Sequence, residues 1–497
     1  MRKIYILILL LTAFGASSCN DWLDIRANTE QKDEEQFSTA QGFYDALIGC
    51  YMTMADRNIY GEQLSITYSE ALACLWDLPK EQTGTNRLAE WFFQHHDYTQ
   101  STAESAIQSV YAALFNTVAQ ANMIIKNVEE RGEVIPNPDI RSVIEGEAYA
   151  IRAYCQLDVL RLFGEVPGGS RKVSLPYSET TSINDVPPYY DFEGYVAKLK
   201  ADIEMAKSLP IDKAPVSQYS FGSLNSGSTA PVDEFMLYRQ FRMNYWAVRA
   251  LEARMLLYTG EKSQAHDVAM EIISARLNGN PVISLSNADD FTNGYKLCPS
   301  ECLFGLSKYN VMTYSETYLI GGNLNIQYDS RNHLTITPDR LDALYTGVNT
   351  NAHNRYRYWW NSNLRDTYGD RRVTTTKYYW DVNVVENASL KYAYIPMLRM
   401  SEIYLIAMEG TTSLEEANSL FSTYMLAHED PDTPGFASLD DRAEFLLNEY
   451  RREFFAEGQM FYTYKRLNTA QMLWDNEPMT EDGYILPLPR TEYNPNN

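Results

Sequence analysis

Two adjacent carboxylate pairs, Asp289-Asp290 and Asp440-Asp441, are the strongest acid–base material in the sequence. Carboxylates hydrolyse glycosides when they flank a bond from two sides, and adjacency in sequence does not dictate that placement. Asp440-Asp441 instead precedes an apolar-periodic run over Arg442 to Lys465, where negative charge meets a helix N-terminus. His95-His96 lack the spacing of a helical metal pair, and no His-Glu-x-x-His is present. Gly222-Ser223-Leu224-Asn225-Ser226 is a broken Gly-x-Ser-x-Gly, and Asp430-Pro431-Asp432 is a fragment of a calcium loop. Phosphate-cradling glycine loops are absent, and six histidines offer little for proton transfer. The sequence therefore reads as a binder, not an enzyme, with no cofactor and no metal. Cys298 and Cys302 could pair or hold a metal, but no second Cys/His pair sits at zinc-site spacing. Leaving aside Cys19, the five remaining cysteines are an odd number, which excludes full pairing; Cys155, in an apolar helical pattern, reads as a buried thiol.

Binding chemistry has better material. Aromatic rings offer flat apolar faces with polar edges, the surface that meets C–H faces and hydroxyls of a sugar. Trp76, Trp91, Trp359 and Trp360 lie in polar, loop-like surroundings, whereas Trp246 lies on a helical run and reads as core. Tyr309, Tyr314, Tyr356 and Tyr358 share the later loop region, with Arg355 and Arg357 beside them as donors. These nine positions (Trp76, Trp91, Tyr309, Tyr314, Arg355, Tyr356, Tyr358, Trp359, Trp360) form the candidate ligand set. A loop tryptophan also serves as a local packing anchor, so each competes with that role.

The start of the chain addresses the protein. Arg2-Lys3 precede an apolar run from Ile4 to Phe14, then Gly15 to Ser18, then Cys19. This is a secretory signal over residues 1–18, too short in its apolar part to span a bilayer of about 30 Å. A cysteine directly after the small residues has the form of a lipoprotein processing site, which makes Cys19 the expected lipid anchor. Stable anchoring takes more than one acyl chain. The formal charge of −23 becomes −25 once Arg2 and Lys3 are removed. Such acidity argues against nucleic acid and anionic headgroups as partners.

Mostly helical patterns position these residues. Residues 20–36 read as a tether. Ile107 to Val128 carries apolar residues at helical spacing, and so does Ala148 to Phe163, with Gly164 at its end. A shorter helix is expected from Phe192 to Leu209, a surface loop over Ile211 to Pro231, and helix over Phe235 to Tyr258 and Ser263 to Ala275. Ala253, Gly260, Ala265 and Ala269 sit at tetratricopeptide-like offsets, and Ala417 with Phe421 repeats the step beside Leu398 to Met408. Over 280–394 helical spacing fades, leaving long loops with short strands such as Val373 to Trp380. The expected organisation is a single domain over 37–497: helical parts 37–279 and 395–497, with a loop-rich, ligand-facing insertion 280–394 between them. The fold class is mainly α, a tetratricopeptide-like helical-repeat scaffold with long irregular loops and a few short strands.

Cys19-Asn20-Asp21-Trp22-Leu23-Asp24, Gly146-Glu147-Ala148, Leu398-Arg399, Arg451-Arg452-Glu453 and Leu486-Pro487-Leu488-Pro489 follow one another in an order that resembles the SusD/RagB family of outer-membrane nutrient-uptake lipoproteins. Cys19-Asn20-Asp21-Trp22-Leu23-Asp24 is similar to the family's opening. Gly146-Glu147-Ala148 through Arg152-Ala153-Tyr154, running to Leu162-Phe163-Gly164-Glu165-Val166-Pro167, resembles its central helix and exit. Leu398-Arg399 with Glu402 and Leu405, then Arg451-Arg452-Glu453, Glu457-Gly458 and Lys465-Arg466, match two further motifs, and Leu486-Pro487-Leu488-Pro489 the closing one. Gln459-Met460 and Thr463 depart from the usual His-Arg and Asp. The resemblance implies a surface lipoprotein that binds oligosaccharide, or in some members peptide, and delivers it to a SusC-like TonB-dependent transporter. It favours ligand aromatics in two loop regions, one early and one late, without assigning any residue. A protein-binding adaptor without a small ligand is the other reading. The motif arginines (Arg152, Arg399, Arg451, Arg452 and Arg466) have a physical role of their own, bridging carboxylates such as Glu145, Glu147, Glu402, Glu453 and Glu457 between packed helices.

Overall fold

The computed structural model describes residues 34–78, 88–182, 184–208, 215–226, 232–314, 318–319, 334–366, 369–380, 391, 393–475 and 477–493. The signal, Cys19 and most of the tether lie outside the described residues.

Helices dominate. In chain order the longer ones are α1 (Ala40–Met54), α2 (Ser101–Arg131), α3 (Pro138–Phe163), α4 (Phe192–Ser208), α5 (Tyr245–Tyr258), α6 (Lys262–Ser274), α7 (Met400–Gly410), α8 (Leu414–Ala427), α9 (Leu439–Glu453) and α10 (Met460–Arg466). Side-chain oxygens that accept from the first-turn N–H groups start several of them: Thr39, Asn137, Asn244, Ser413 and Ser438. Asp440 and Asp441 fall in the first turn of α9, where the dipole favours them. Successive helices pack on one another from α1 through α4 and from α5 through α8. Small residues permit the close approach expected of tetratricopeptide-like pairs. Ala253, Ala265, Ala269 and Ala417 are fully buried, and Gly260 makes the α5–α6 turn at φ +90°. At Gly410 a Cβ would lie 2.5 Å from the Lys262 carbonyl oxygen, so α7 can meet α6 only through a glycine.

Besides four two-residue strands (Leu175–Pro176, Tyr189–Tyr190, Arg276–Leu277 and Asn280–Pro281), four longer strands interrupt the helices among the described residues: β1 (Cys302–Ser307), β2 (Trp360–Arg365), β3 (Arg371–Thr375) and β4 (Tyr394–Arg399). β1 pairs antiparallel with β4, and β2 with β3. The stretch between residues 307 and 394 thus leaves and re-enters the scaffold on one two-stranded ribbon.

Several boundaries differ from the sequence reading. Residues 235–244 are not helix: 3-10 turns over Glu234–Met236 and Arg239–Phe241 flank Tyr238, whose φ is +56°. The reason is electrostatic, because this bend lets Arg239 and Arg242 both reach Glu147 on α3. Leu398-Arg399 end a strand before α7 begins. The run Arg442 to Lys465 breaks at Ala456 and Gly458, both at positive φ. There the Glu70 carboxylate accepts from the N–H groups of Ala456 and Gly458, each at 2.9 Å. Gly164 does end α3, but at φ −75°; space demands it, since a Cβ would lie 2.5 Å from the Leu160 oxygen. Val373 to Trp380 is strand only to Thr375.

The motif arginines hold this frame. Arg152 forks onto Asp202, joining α3 to α4 at 2.7 and 2.5 Å. Arg254 forks onto Glu402, joining α5 to α7, and Arg466 onto Glu409, joining α10 to α7, at 2.7 Å throughout. Arg399 reaches Glu301, Glu453 and Glu457 at 2.5 to 2.9 Å, all buried. Such two-pronged pairs fix orientation as well as charge. Partners differ in part from expectation: Glu147 takes Arg239 and Arg242, Arg452 takes Glu449, and Arg451 binds the Tyr464 hydroxyl and Asn448 amide oxygen. Among the described residues no helix is long and apolar enough to cross a membrane.

Candidate functional site

The sequence candidates separate into three environments. Trp76, Trp359 and Arg355 are each at most 1% exposed. This corrects their assignment as ligand contacts, and hydrogen bonding explains it. The Trp76 indole N–H donates to the Ile66 carbonyl at 2.9 Å, and that of Trp359 to the Lys296 carbonyl at 2.8 Å. Trp359 is a cation platform inside the protein, with Lys377 Nζ 3.7 Å and the Arg355 guanidinium 4.9 Å from its ring centre. Arg355 pairs with Glu453 at 2.5 Å. Cys298 and Cys302, the other sequence candidates here, are buried free thiols.

The second environment is an aromatic chain. Tyr356 packs edge-on to Tyr345 (5.0 Å), Tyr345 to Trp360 (6.3 Å), Trp360 to Phe455 (4.8 Å) and Phe455 to Trp76 (4.8 Å). The half-buried Trp360 indole donates to the Tyr345 hydroxyl at 3.0 Å. Tyr358 stacks on Phe291. Tyr356, Tyr358 and Trp360 are half-buried and packed on the buried rings of Tyr345, Phe455 and Phe291, so packing accounts for them.

The third environment is the surface that the early and late loop regions share. Asp77 joins them: its N–H donates to the Thr335 carbonyl at 2.8 Å, and its carboxylate meets Arg372 at 2.7 Å and Arg340 at 3.4 Å. The short helix Ala89–Gln94 is tied to the residue before Asp77, Trp76, whose carbonyl accepts from the Gln94 side-chain amide at 3.2 Å; on that helix Trp91 is half-buried and stacks on His95 with ring centres 3.8 Å apart. The Arg57 guanidinium donates to the Tyr318 hydroxyl at 2.8 Å and pairs with Glu62 at 2.9 Å; Tyr318 in turn donates to Glu62 at 3.0 Å. Burial, then the nearby Glu62, pushes the Tyr318 phenol up to about 12, and burial, then Glu62, raises Glu90. Arg57, Glu62, Glu90 and Tyr318 were missed in the sequence because nothing in it links residue 57 to residue 318. Tyr309, just past β1, is 81% exposed, and the side chain of Tyr314 lies outside the described part of the molecule.

Two cavities of about 670 and 660 Å³ adjoin along Tyr238 and Phe241. Ile48, Met52 and Phe235 make the first largely apolar. The second holds Asn225, Asp290 and Lys391 beside Tyr394. None of the nine ligand candidates lines either one, although Asp290 and Cys302 line the second.

No family model matches the chain. SusD-like protein P38 of Formosa agariphila is 23% identical over 98% of this chain and 96% of its own length. SusD-like protein P2 of the same organism is 24% identical over 44% of this chain; that match spans only 41% of P2. A SusD superfamily structure from Bacteroides thetaiotaomicron superposes with a TM-score of 0.68 at 19% identity, covering 92% of this chain and 97% of the other. Surface glycan-binding protein A from that organism, solved in complex with laminarihexaose, gives 0.64 at 14% identity, covering 92% and 97%. The chain is thus similar in fold to SusD superfamily structures and similar in sequence, over 98% of its length, to SusD-like protein P38.

Proposed function

We propose that this chain is a lipid-anchored surface protein that binds oligosaccharide on the face around Trp91, Arg57 and Tyr318 and passes it to a SusC-like TonB-dependent outer-membrane transporter. The observation carrying this reading is the Asp77 junction with Thr335, Arg340 and Arg372, which brings one early and one late region to a common face. The half-buried Trp91 indole supplies a flat apolar platform, and Arg57, Tyr318 and Glu62, linked to one another at 2.8 to 3.0 Å, supply donors and acceptors. The SusD-like fold and the laminarihexaose complex of a structural relative support glycan as the ligand class. In this reading residues 280–394 are the ligand-facing insertion, Cys19 is acylated, and the fold faces outward from the outer membrane. Binding and hand-over are the whole task; no bond in the ligand is broken.

Calorimetry or affinity electrophoresis against a glycan panel tests the proposal. Wild-type binding that is lost in Trp91→Ala and kept in Tyr238→Ala supports it. Binding unaffected by Trp91→Ala but lost in Tyr238→Ala moves the ligand to the adjoining cavities. A second reading, a protein-binding adaptor, is favoured by one observation: Met52 (71% exposed), Ile48 and Tyr238 present apolar surface around the 670 Å³ groove. Transporter capture with no binding to any glycan or peptide would select it.

A further inference from the structure

Three segments far apart in sequence place a thiol, an imidazole and a carboxylate together. Cys74 follows the helix that ends at Leu72, His96 follows the helix Ala89–Gln94, and Asp475 comes from the C-terminal region. Their donor atoms all lie within 4.8 Å of one another, with His96 Nδ1 4.0 Å from Asp475 Oδ2. Zinc–ligand bonds of about 2.0–2.3 Å put the donor atoms of a tetrahedral set about 3.3–3.8 Å apart. The cluster therefore needs to contract by only about 1–1.5 Å to close on an ion.

The imidazole is already set for that role. His96 Nε2 lies 2.9 Å from the Leu72 carbonyl oxygen, a partner that only an N–H can satisfy. This fixes the tautomer: the proton sits on Nε2, and the Nδ1 lone pair faces Asp475 and the Cys74 side. A backbone carbonyl on the remote nitrogen is the usual outer partner of a metal-bound histidine. The side chains of His96 and Asp475 retain 11% and 14% of their exposure, which leaves a path for an ion and its water, whereas Cys74 is buried. One thiolate and one carboxylate carry the two negative charges that neutralise a divalent ion. Soft sulfur beside imidazole nitrogen selects zinc-like ions over calcium or magnesium.

We propose that Cys74, His96 and Asp475 form a binding site for Zn²⁺ or a similar borderline divalent ion. Each residue gives one ligand, and water takes the fourth position. On binding, the Cys74 S–H bond breaks, the proton leaves to solvent, and the sulfur electron pair forms the metal–sulfur bond, so no redox partner is needed. The ion ties residue 74 to residue 96 and both to residue 475. The site is separate from the ligand face, although Arg340, which meets Asp77 there, also lies over the Trp474 ring at 4.9 Å.

The test uses tag-free protein, reduced and treated with chelator, titrated with Co²⁺ alone and then with Zn²⁺. One equivalent of Co²⁺ should bind with a near-ultraviolet thiolate charge-transfer band that Zn²⁺ abolishes. Cys74→Ser should remove the band. His96→Gln and Asp475→Asn should each weaken Co²⁺ binding by more than the roughly 10–100-fold that an outer partner is worth. Asp475→Asn keeps shape and removes charge only, so it tests the site in a folded chain; circular dichroism checks each variant. Absence of the band in the wild type, its survival in Cys74→Ser, or unchanged affinity in both His96→Gln and Asp475→Asn would overturn the proposal.

Discussion

Replacing Glu147 by glutamine probes the device that shapes the Tyr238 segment. Glu147 is 2% exposed and collects four donors: the Tyr51 hydroxyl at 2.6 Å, Arg242 through Nε at 3.0 Å and Nη2 at 2.9 Å, and Arg239 through Nη1. Glutamine keeps one acceptor and turns the other into an N–H₂ group facing guanidinium donors. Two buried arginines then lose their counter-charge, which costs about 3–5 kcal/mol. Unfolding entropy of about 2.1 cal/mol/K per residue over 497 residues is about 1 kcal/mol/K, so Tm should fall by about 3–5 °C. Burial alone would raise the Glu147 pKa, but Arg239 and Arg242 outweigh it and hold the group below its ordinary value of 4.5. Because the folded pKa is the lower one, the charge contributes fully above about pH 4.5 and is lost as pH falls toward the folded value. The gap between wild type and Glu147→Gln in urea unfolding should therefore be constant at neutral pH and close in acid. A loss below about 1 kcal/mol at pH 7, the worth of an exposed pair, would refute the reasoning.

Trp91→Ala should weaken glycan binding about tenfold, or about 1.4 kcal/mol by calorimetry, while leaving Tm unchanged. Trp359→Ala should do the reverse, costing about 3–5 kcal/mol of stability in urea unfolding. Gly410→Val forces a side chain into the Lys262 carbonyl and should cost about 1–3 kcal/mol by the same assay. Cys19→Ser should move the protein from the membrane fraction to the soluble fraction on immunoblots.

The scaffold was legible in the sequence because helix spacing and small-residue offsets are local signals. Ala265, Ala269 and Ala417 announced close helix pairs without any knowledge of their partners. The misread elements were those that distant charges bend: residues 235–244 follow helix-forming composition until Arg239 and Arg242 turn toward Glu147. The tryptophans were harder. Trp76 and Trp359 sit in polar sequence, yet each ring is buried because one carbonyl, of Ile66 or Lys296, satisfies its N–H. The Arg57–Tyr318 contact spans 261 residues, and no periodicity could connect them. The same holds for His96, whose metal potential depends on Cys74 and Asp475 rather than on its neighbour His95.

Glu70 carries a consequence for how the chain comes to be made. Its carboxyl, pushed up to about 8 by burial, rests on N–H groups 386 and 388 residues downstream. Synthesis runs from the N-terminus, so the pocket for this acid is incomplete until nearly the whole polypeptide has emerged. Until then Glu70 stays hydrated and ionised, and water has no reason to leave the gap between its short helix, Tyr68–Leu72, and the turn that joins α9 to α10. Closure at Ala456 and Gly458 is therefore a completion check: a prematurely terminated chain keeps an open seam that a protease can find, and a finished one seals it.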